Sequence, residues 1–153
     1  MSRTNERGDE SRQHVAGMHA DEPGAAEAEV RARMHEIAQA IRDKDLDALI
    51  ALYAPEVVVF DVFPPLETRG AENYRHNFER WFSSARGPIY YELRDLQIAT
   101  SGQLASAHCL SHVSLTRLNG HRLDYWVRLT TRFESRGGRW LVTHEHISMP
   151  ARM

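Results

Sequence analysis

The sequence predicts one domain of the α+β class, with helices in its first half and antiparallel strands in its second half. Two observations lead to this prediction. Apolar residues recur every three or four positions in the first half of the chain. The second half contains four long segments separated by glycine-containing breaks, at about 89–99, 104–117, 122–134 and 139–149. The length of 153 residues suits a single domain with a substantial core.

The chain begins with a segment that does not resemble a folded element. Residues 1 to about 24 are polar, contain glycine and show no apolar period, so we expect a disordered N-terminal tail. From Ala25 to Asp43, apolar residues at helical spacing predict the first helix, namely Val30, Met34, Ile37, Ala38 and Ile41. Residues 25–153 therefore form the predicted domain.

A second helix and a strand come next. Asp45 precedes an apolar-periodic run, which is typical of an N-cap followed by an amphipathic helix of two to three turns. Pro55 is expected to end this helix, and Val57–Phe60 has the β-branched and aromatic composition of a strand. Asp61 follows directly, at the far end of that strand.

The rest of the chain gives a loop, a third helix and the four strands. Two prolines make Phe63–Leu66 a stiff loop just beyond Asp61. Gly70 precedes a third helix, which ends near Gly87-Pro88. This helix carries four aromatic residues on one side, Tyr74, Phe78, Trp81 and Phe82. Asn119-Gly120 is the strongest hairpin signal in the chain.

The hairpin turns predict which side chains share a face of the sheet. If Asn119 and Gly120 form the whole loop, His112 lies opposite Val127, and period-two alternation sets the remaining positions. The predicted pocket face carries His108, Leu110, His112, Val127, Leu129, Phe133, Val142, His144 and His146, with Tyr91 joining it if the first hairpin loop is even. The opposite face carries Ser111, Val113, Trp126, Arg128, Arg132, Leu141, Glu145 and Ile147.

Two groups of motifs stand out at the two ends of the predicted domain. The first group is Asp45-Leu46, Ala51-Leu52-Tyr53-Ala54, the strand Val57–Phe60 and Asp61; the second is Gly137-Gly138-Arg139-Trp140 followed by His144-Glu145-His146. Their order and spacing resemble the nuclear transport factor two-like superfamily, which includes ketosteroid isomerases and SnoaL-like polyketide cyclases. The resemblance covers about residues 28 to 149. It implies a cone-shaped barrel of three N-terminal helices packed on a curved, mostly antiparallel sheet.

The resemblance also implies a site. In the ketosteroid isomerases, an acid at the position of Asp61 abstracts the proton next to a carbonyl, so we expect Asp61 to be a general base. His146 and His112 are expected to donate to the developing enolate oxygen. The expected ligand pocket is lined by Tyr74, Phe78, Trp81, Tyr91, His108, Leu110, Val127, Leu129 and His144. The oxyanion tyrosine and acid of the isomerases have apolar or neutral counterparts here, Ile37 and Leu129 or Thr130, which argues against a steroid isomerase.

Three functions remain open at this stage. They are a cofactor-free acid/base isomerase or cyclase acting on an apolar carbonyl compound, a non-catalytic ligand-binding protein, and an oligomeric association module. The ending GGRWLVTHEHISMP supports the third, because it also resembles the association domain of calcium/calmodulin-dependent protein kinase II. We expect neither a metal nor a cofactor, since no HExxH or CxxC spacing occurs.

Composition sets the expected partners. With 19 Lys+Arg against 21 Asp+Glu and no basic cluster, nucleic acid is not an expected partner. No apolar run approaches the roughly 20 residues that span a membrane, and no secretory signal is seen, so a cytoplasmic location is the default. The single cysteine, Cys109, rules out an intrachain disulfide.

The expected partners are a ligand and a second copy of the chain. A small apolar organic compound is the expected ligand. The outer sheet face is predicted to form a homodimer, because it carries the apolar residues Val113, Trp126, Leu141 and Ile147.

Overall fold

A computed structural model describes residues 24–153 of the chain. The elements in chain order are α1 (Gly24–Asp43), α2 (Leu46–Ile50), β1 (Tyr53–Phe60), β2 (Thr68–Arg69), α3 (Ala71–Ser84), β3 (Ala85–Ser101), β4 (Leu104–Arg117), β5 (Arg122–Arg136) and β6 (Arg139–Ser148). The predicted disordered tail lies outside the described residues, apart from Gly24, which begins α1.

The strands form one six-stranded sheet in the order β2-β1-β6-β5-β4-β3. Only β1 and β6 pair in parallel; every other neighbouring pair is antiparallel. The helices pack against one face of this open, curved sheet and bury the core between them. The predicted α+β fold, with three N-terminal helices on a curved and mostly antiparallel sheet, is therefore confirmed.

The connection from α1 to β1 follows the local sequence signals with one change. The Asp45 side chain caps α2 by accepting a hydrogen bond from the Ala48 N–H at 3.1 Å, as predicted. The helix has only five residues, which is shorter than predicted, because the chain is already extended at Tyr53. Pro55 falls inside β1 rather than ending the helix. The pairing of β1 with β6 is interrupted between Tyr53 and Val58, and a proline is tolerated where no ladder bond is required.

The turn between β4 and β5 has three residues, not two. The Arg117 N–H donates to the His121 carbonyl at 2.8 Å, which leaves residues 118–120 in the loop, with Gly120 at a positive φ of 84°. The odd loop length shifts the register by one residue, so His112 pairs with Trp126 and Ser111 pairs with Val127. The predicted pairing of His112 with Val127 is therefore wrong, and β4 presents its odd-numbered residues to the core.

A second irregularity lies between β5 and β6. Phe133 pairs with Val142, but Arg132 pairs with His144, so Thr143 is an extra residue in β6. Its hydroxyl accepts from Arg132 Nε at 3.0 Å. Beyond this bulge the alternation of β6 is inverted, and Glu145 rather than His144 faces the core.

The core lies between the helices and the concave face of the sheet. Its fully buried side chains come from the three helices and the sheet, and include Met34, Leu49, Tyr74, Ile89, Val113, Phe133 and Val142. Cys109 is buried among them. Within residues 24–153, the helices are too short or too polar to cross a membrane.

Candidate functional site

A cavity of about 290 Å³ opens between α1, α3 and the concave face of the sheet. Much of its wall is apolar or aromatic, with contributions from Ile37, Ile41, Phe78, Trp81, Val127 and Ile147. Ionisable or hydroxyl-bearing side chains also line it, among them Tyr53, Asp61, Tyr74, Tyr91, Tyr125 and Glu145. An apolar cavity with a few convergent polar groups is the usual form of a small-molecule site.

Glu145 is a buried carboxyl group of the cavity, with 3% of its surface exposed. It accepts hydrogen bonds from the Tyr74 hydroxyl at 2.9 Å and from the Tyr53 hydroxyl at 3.1 Å. Burial raises the pKa of Glu145 to about 7; the two hydroxyl bonds oppose the rise, and the negative charge of Asp61 adds to it. Glu145 therefore titrates near neutral pH, where a carboxyl group can both accept and donate a proton.

The two tyrosines that hold Glu145 come from separate elements. Tyr53 begins β1 and Tyr74 lies in the first turn of α3, with their rings edge to face at a centroid distance of 5.2 Å. Burial, followed by the charge of Glu145, raises the pKa of each phenol well above its ordinary value. Both phenols therefore stay protonated and serve as fixed hydrogen-bond donors.

Asp61 is the second carboxyl group of the cavity and directly follows β1, where the sequence predicted it. Its Oδ1 accepts from the Val62 N–H at 2.6 Å. Burial raises the pKa of Asp61, while hydrogen bonds from the backbone of Val62 and Phe63 favour the ionised form. Val62, Phe63 and Pro64 also line the cavity, so the proline-containing loop forms the wall beside Asp61.

The structure brings together only part of the predicted site. Six of the predicted residues line the cavity: Asp61, Tyr74, Phe78, Trp81, Tyr91 and Val127. Leu129 is buried in the core without lining the cavity. The remaining five, His108, Leu110, His112, His144 and His146, lie on the other face of the sheet, since the three-residue turn inverts β4 and the bulge at Thr143 inverts β6.

Two of the misplaced histidines, His112 and His144, have hydrogen-bond partners outside the cavity. His112 stacks on Trp126 at a centroid distance of 4.6 Å, and its Nε2 lies 2.8 Å from Asp124 Oδ1. His144 Nδ1 lies 2.7 Å from the Val58 carbonyl oxygen. Because these imidazoles and Asp61 are on opposite faces of the sheet, they do not converge. In the described part of the chain, no group of three His, Cys, Asp or Glu side chains is arranged to hold a metal ion.

Several cavity residues were missed by the sequence analysis, among them Glu145, Tyr53 and Tyr125. Glu145 was placed on the outer face together with Val113 and Ile147, both of which line the cavity. Two apolar side chains on the same face as one acid, on a face assigned to the outside of the sheet, were the available signal that β4 and β6 were inverted. Tyr53 lies within the Ala51–Ala54 motif, where only the fold resemblance drew attention to it.

Comparison with known families agrees with this geometry. The family model described as SnoaL-like domain matches residues 30–152, which is most of the chain. The chain belongs to the SnoaL-like family. A search of curated proteins gave no match.

Solved structures place the SnoaL-like chain in the wider NTF2-like superfamily. An NTF2-like protein of unknown function from Pseudomonas putida KT2440 is 34% identical, with 84% of this chain and 89% of that chain covered, at a TM-score of 0.76. An NTF2-like superfamily protein from Salmonella enterica is 20% identical, with 82% of this chain and 91% of that chain covered, at a TM-score of 0.73. The association domain of CaMKII from C. elegans is 17% identical, with 84% of this chain and 99% of that chain covered, at a TM-score of 0.67. The last two similarities show the fold alone.

Proposed function

We propose that this SnoaL-like protein binds a small, largely apolar carbonyl compound and catalyses proton transfer at the carbon next to the carbonyl, without a cofactor. One observation carries the proposal: two carboxyl groups, Asp61 and Glu145, line the same largely apolar cavity, and burial raises the pKa of both. Two carboxyl groups held in different environments can divide the roles of base and acid between them.

Asp61 is assigned the role of base. The backbone amides of Val62 and Phe63 favour its ionised form, whereas burial makes that form a stronger base than a solvated aspartate. In the first step the carboxylate of Asp61 takes the proton from the carbon, the electron pair of the broken C–H bond forms a C=C bond, and the π pair of the C=O bond moves to the oxygen of the resulting enolate.

Glu145 is assigned the role of acid. With a pKa of about 7, it is roughly half protonated at neutral pH, and an ionised Asp61 favours the protonated state of Glu145. A protonated Glu145 can donate to the developing enolate oxygen, while Tyr53 and Tyr74 keep its carboxyl group in place. Asp61 then gives a proton to the same carbon, after exchange with solvent, or to a conjugated carbon, while Glu145 recovers its proton from the oxygen; the first outcome is an exchange and the second an isomerisation.

The cavity volume limits the ligand. A cavity of about 290 Å³ is at the small end of the range for ligand sites. We therefore assign the site to compounds of one or two fused rings. β-Tetralone is a suitable probe because it is small and apolar and has an acidic C–H group beside its ketone.

The test is exchange of the acidic protons of β-tetralone for deuterium, followed by NMR in D₂O, together with calorimetric binding. We expect Asp61→Asn to bind β-tetralone but to lose about two to four orders of magnitude in exchange rate. Glu145→Gln should lose less of the exchange rate, because the glutamine amide can still donate a hydrogen bond to the enolate oxygen. Asp124→Asn is the matched control, since Asp124 bonds to His112 on the outer face.

The results separate the candidate functions. Exchange by Asp61→Asn at the wild-type rate would overturn the assignment of the base. Binding of β-tetralone without protein-dependent exchange would favour the non-catalytic ligand-binding function. If the protein neither binds β-tetralone nor exchanges its protons, small apolar carbonyl compounds would be excluded as the ligand class.

We also propose a homodimer formed through the outer sheet face. Trp126 is 37% exposed there, and Leu110 and Phe60 are each 38% exposed. Val113 and Ile147, which first suggested this interface, line the cavity instead. Sedimentation should give a dimer at micromolar protein for the wild type and a monomer for Trp126→Asp; a wild-type monomer would refute the proposal.

A further inference from the structure

Two arginine side chains line the same side of the cavity, Arg80 on α3 and Arg117 at the end of β4. The end of α3 meets the turn after β4, where the Leu118 N–H donates to the Ser84 carbonyl at 3.3 Å. Ser84 is four residues after Arg80 and also lines the cavity, so both lie on one face of the helix. This contact between α3 and the turn therefore brings Arg80 and Arg117 to the same part of the cavity rim.

Neither positive charge is neutralised nearby. Among residues 24–153, neither arginine forms an ion pair with an Asp or Glu side chain. Arg80 donates to the Asn77 amide oxygen at 2.6 Å, and Asn77 is uncharged. Both arginines are exposed, whereas Glu145 is buried, so the positive charge is at the open end of the cavity and the acid pair lies further inside.

We propose that the ligand carries a carboxylate at the end of its ring system away from the carbonyl, and that Arg80 and Arg117 bind this carboxylate at the cavity rim. The inference rests on the proposed function, because it takes the carbonyl end of the ligand to lie beside Asp61 and Glu145. It names the ligand class more narrowly, as a small ring compound that is both a ketone and a carboxylic acid.

Charge balance at the rim supports an anion. The carboxyl end of α3 has a partial negative charge of about half a unit, which by itself repels a carboxylate. Two guanidinium groups outweigh this charge, and arginine is suited to carboxylates because its planar fork can donate two parallel hydrogen bonds. Tyr125 lies close enough to Arg117 for the arginine to oppose the rise in its pKa, which places Arg117 beside the cavity wall.

The experiment compares two ligands of nearly identical shape, β-tetralone bearing a carboxylate on its aromatic ring and the corresponding carboxamide. Binding is measured by calorimetry for the wild type, Arg80→Gln, Arg117→Gln and the double variant. We expect the wild type to bind the carboxylate about tenfold more tightly than the carboxamide. Each single variant should reduce this preference, the double variant should abolish it, and carboxamide affinity should change little.

Arg128→Gln is the matched control. Arg128 lies on the outer sheet face, where its Nε donates to Ser148 Oγ at 3.1 Å, and its loss removes the same unit of net charge. This variant should keep the wild-type preference. Added salt should weaken carboxylate binding and leave carboxamide binding nearly constant, since exposed charges are screened.

The outcomes distinguish this inference from the proposed function. If β-tetralone binds and exchanges but the carboxylate gives no advantage, only the carboxylate inference fails. An equal loss of preference in Arg128→Gln would also overturn it, because net charge rather than the rim would then be responsible. If β-tetralone and both derivatives fail to bind, the proposed function fails together with the inference.

Discussion

Replacement of Glu145 by glutamine should stabilise the protein above neutral pH and leave its stability at acidic pH nearly unchanged. The physical reason is the burial of an acid whose pKa rises from 4.5 to about 7 on folding. The folded state holds this proton more tightly than the unfolded state does. The unfolding free energy of the wild type therefore falls as the pH rises from about 4.5 to about 7, and this contribution is constant above that interval.

The size of the effect follows from the shift. The difference between about 7 and 4.5 is about 2.5 pKa units, and each unit corresponds to about 1.4 kcal/mol, which gives about 3 kcal/mol of unfolding free energy. Glu145 is almost completely buried, so solvent screening reduces this figure little. Glutamine resembles the protonated acid in shape and charge, and its carbonyl can still accept from one tyrosine. We therefore expect Glu145→Gln to gain about 1 to 3 kcal/mol above neutral pH.

Urea unfolding of both proteins across a pH series from about 3 to 8 measures this difference. Glu56→Gln is a control of opposite sign, because the hydrogen bond from Arg136 lowers the pKa of Glu56. The ionised form of Glu56 is favoured on folding, so its contribution is present above its unfolded pKa and is lost as the pH falls.

Two results would refute the reasoning about Glu145. One is a pH dependence of Glu145→Gln that is as steep as that of the wild type between about pH 4.5 and 7. The other is a variant that is less stable than the wild type above neutral pH. Either result would mean that the carboxylate of Glu145 is well accommodated in its ionised form.

Two further changes test neighbouring parts of the structure. Tyr74→Phe removes the hydroxyl that lies 2.9 Å from Glu145, so the pKa of Glu145 should rise further; an NMR titration of labelled carboxyl carbons measures it, and an unchanged value would contradict the hydrogen bond. Phe133→Ala empties a fully buried site in β5 and should cost about 3 to 5 kcal/mol of unfolding free energy. Urea unfolding measures that loss, and a cost within about 1 kcal/mol would show that the core collapses around the gap.

The order and type of the main elements could be predicted because each has a local signal. Asp45 caps α2 through its own side chain, and Gly70 precedes α3 with a positive φ of 88°. The predicted strand at 104–117 has the bounds of β4. The strands predicted at 122–134 and 139–149 differ from β5 and β6 by one or two residues at one end, and β3 is longer than the predicted 89–99 at both ends. Caps, turns and apolar periods are encoded in neighbouring residues, so a single sequence is sufficient to find them.

The site was harder to predict because it depends on pairing between strands. A hairpin loop of three residues and one of two residues both accommodate Asn119-Gly120, yet they place opposite faces of β4 in the core. The short strand β2 was not predicted, since two residues carry no measurable period. Asp61 was located correctly because its position depends only on the end of β1, and not on the register of the hairpins.

The bulge at Thr143 determines which ionisable groups enter the cavity. Without it, regular alternation from Val142 would turn His144 inward and Glu145 outward. The observed arrangement satisfies every group involved: Glu145 has two hydroxyl donors inside, the His144 imidazole meets the Val58 carbonyl outside, and the Thr143 hydroxyl bonds to Arg132. A buried acid without donors would be strongly unfavourable, so Tyr53 and Tyr74 stabilise this register as well as orienting Glu145. One extra residue in β6 thus gives the cavity carboxyl chemistry in place of imidazole chemistry.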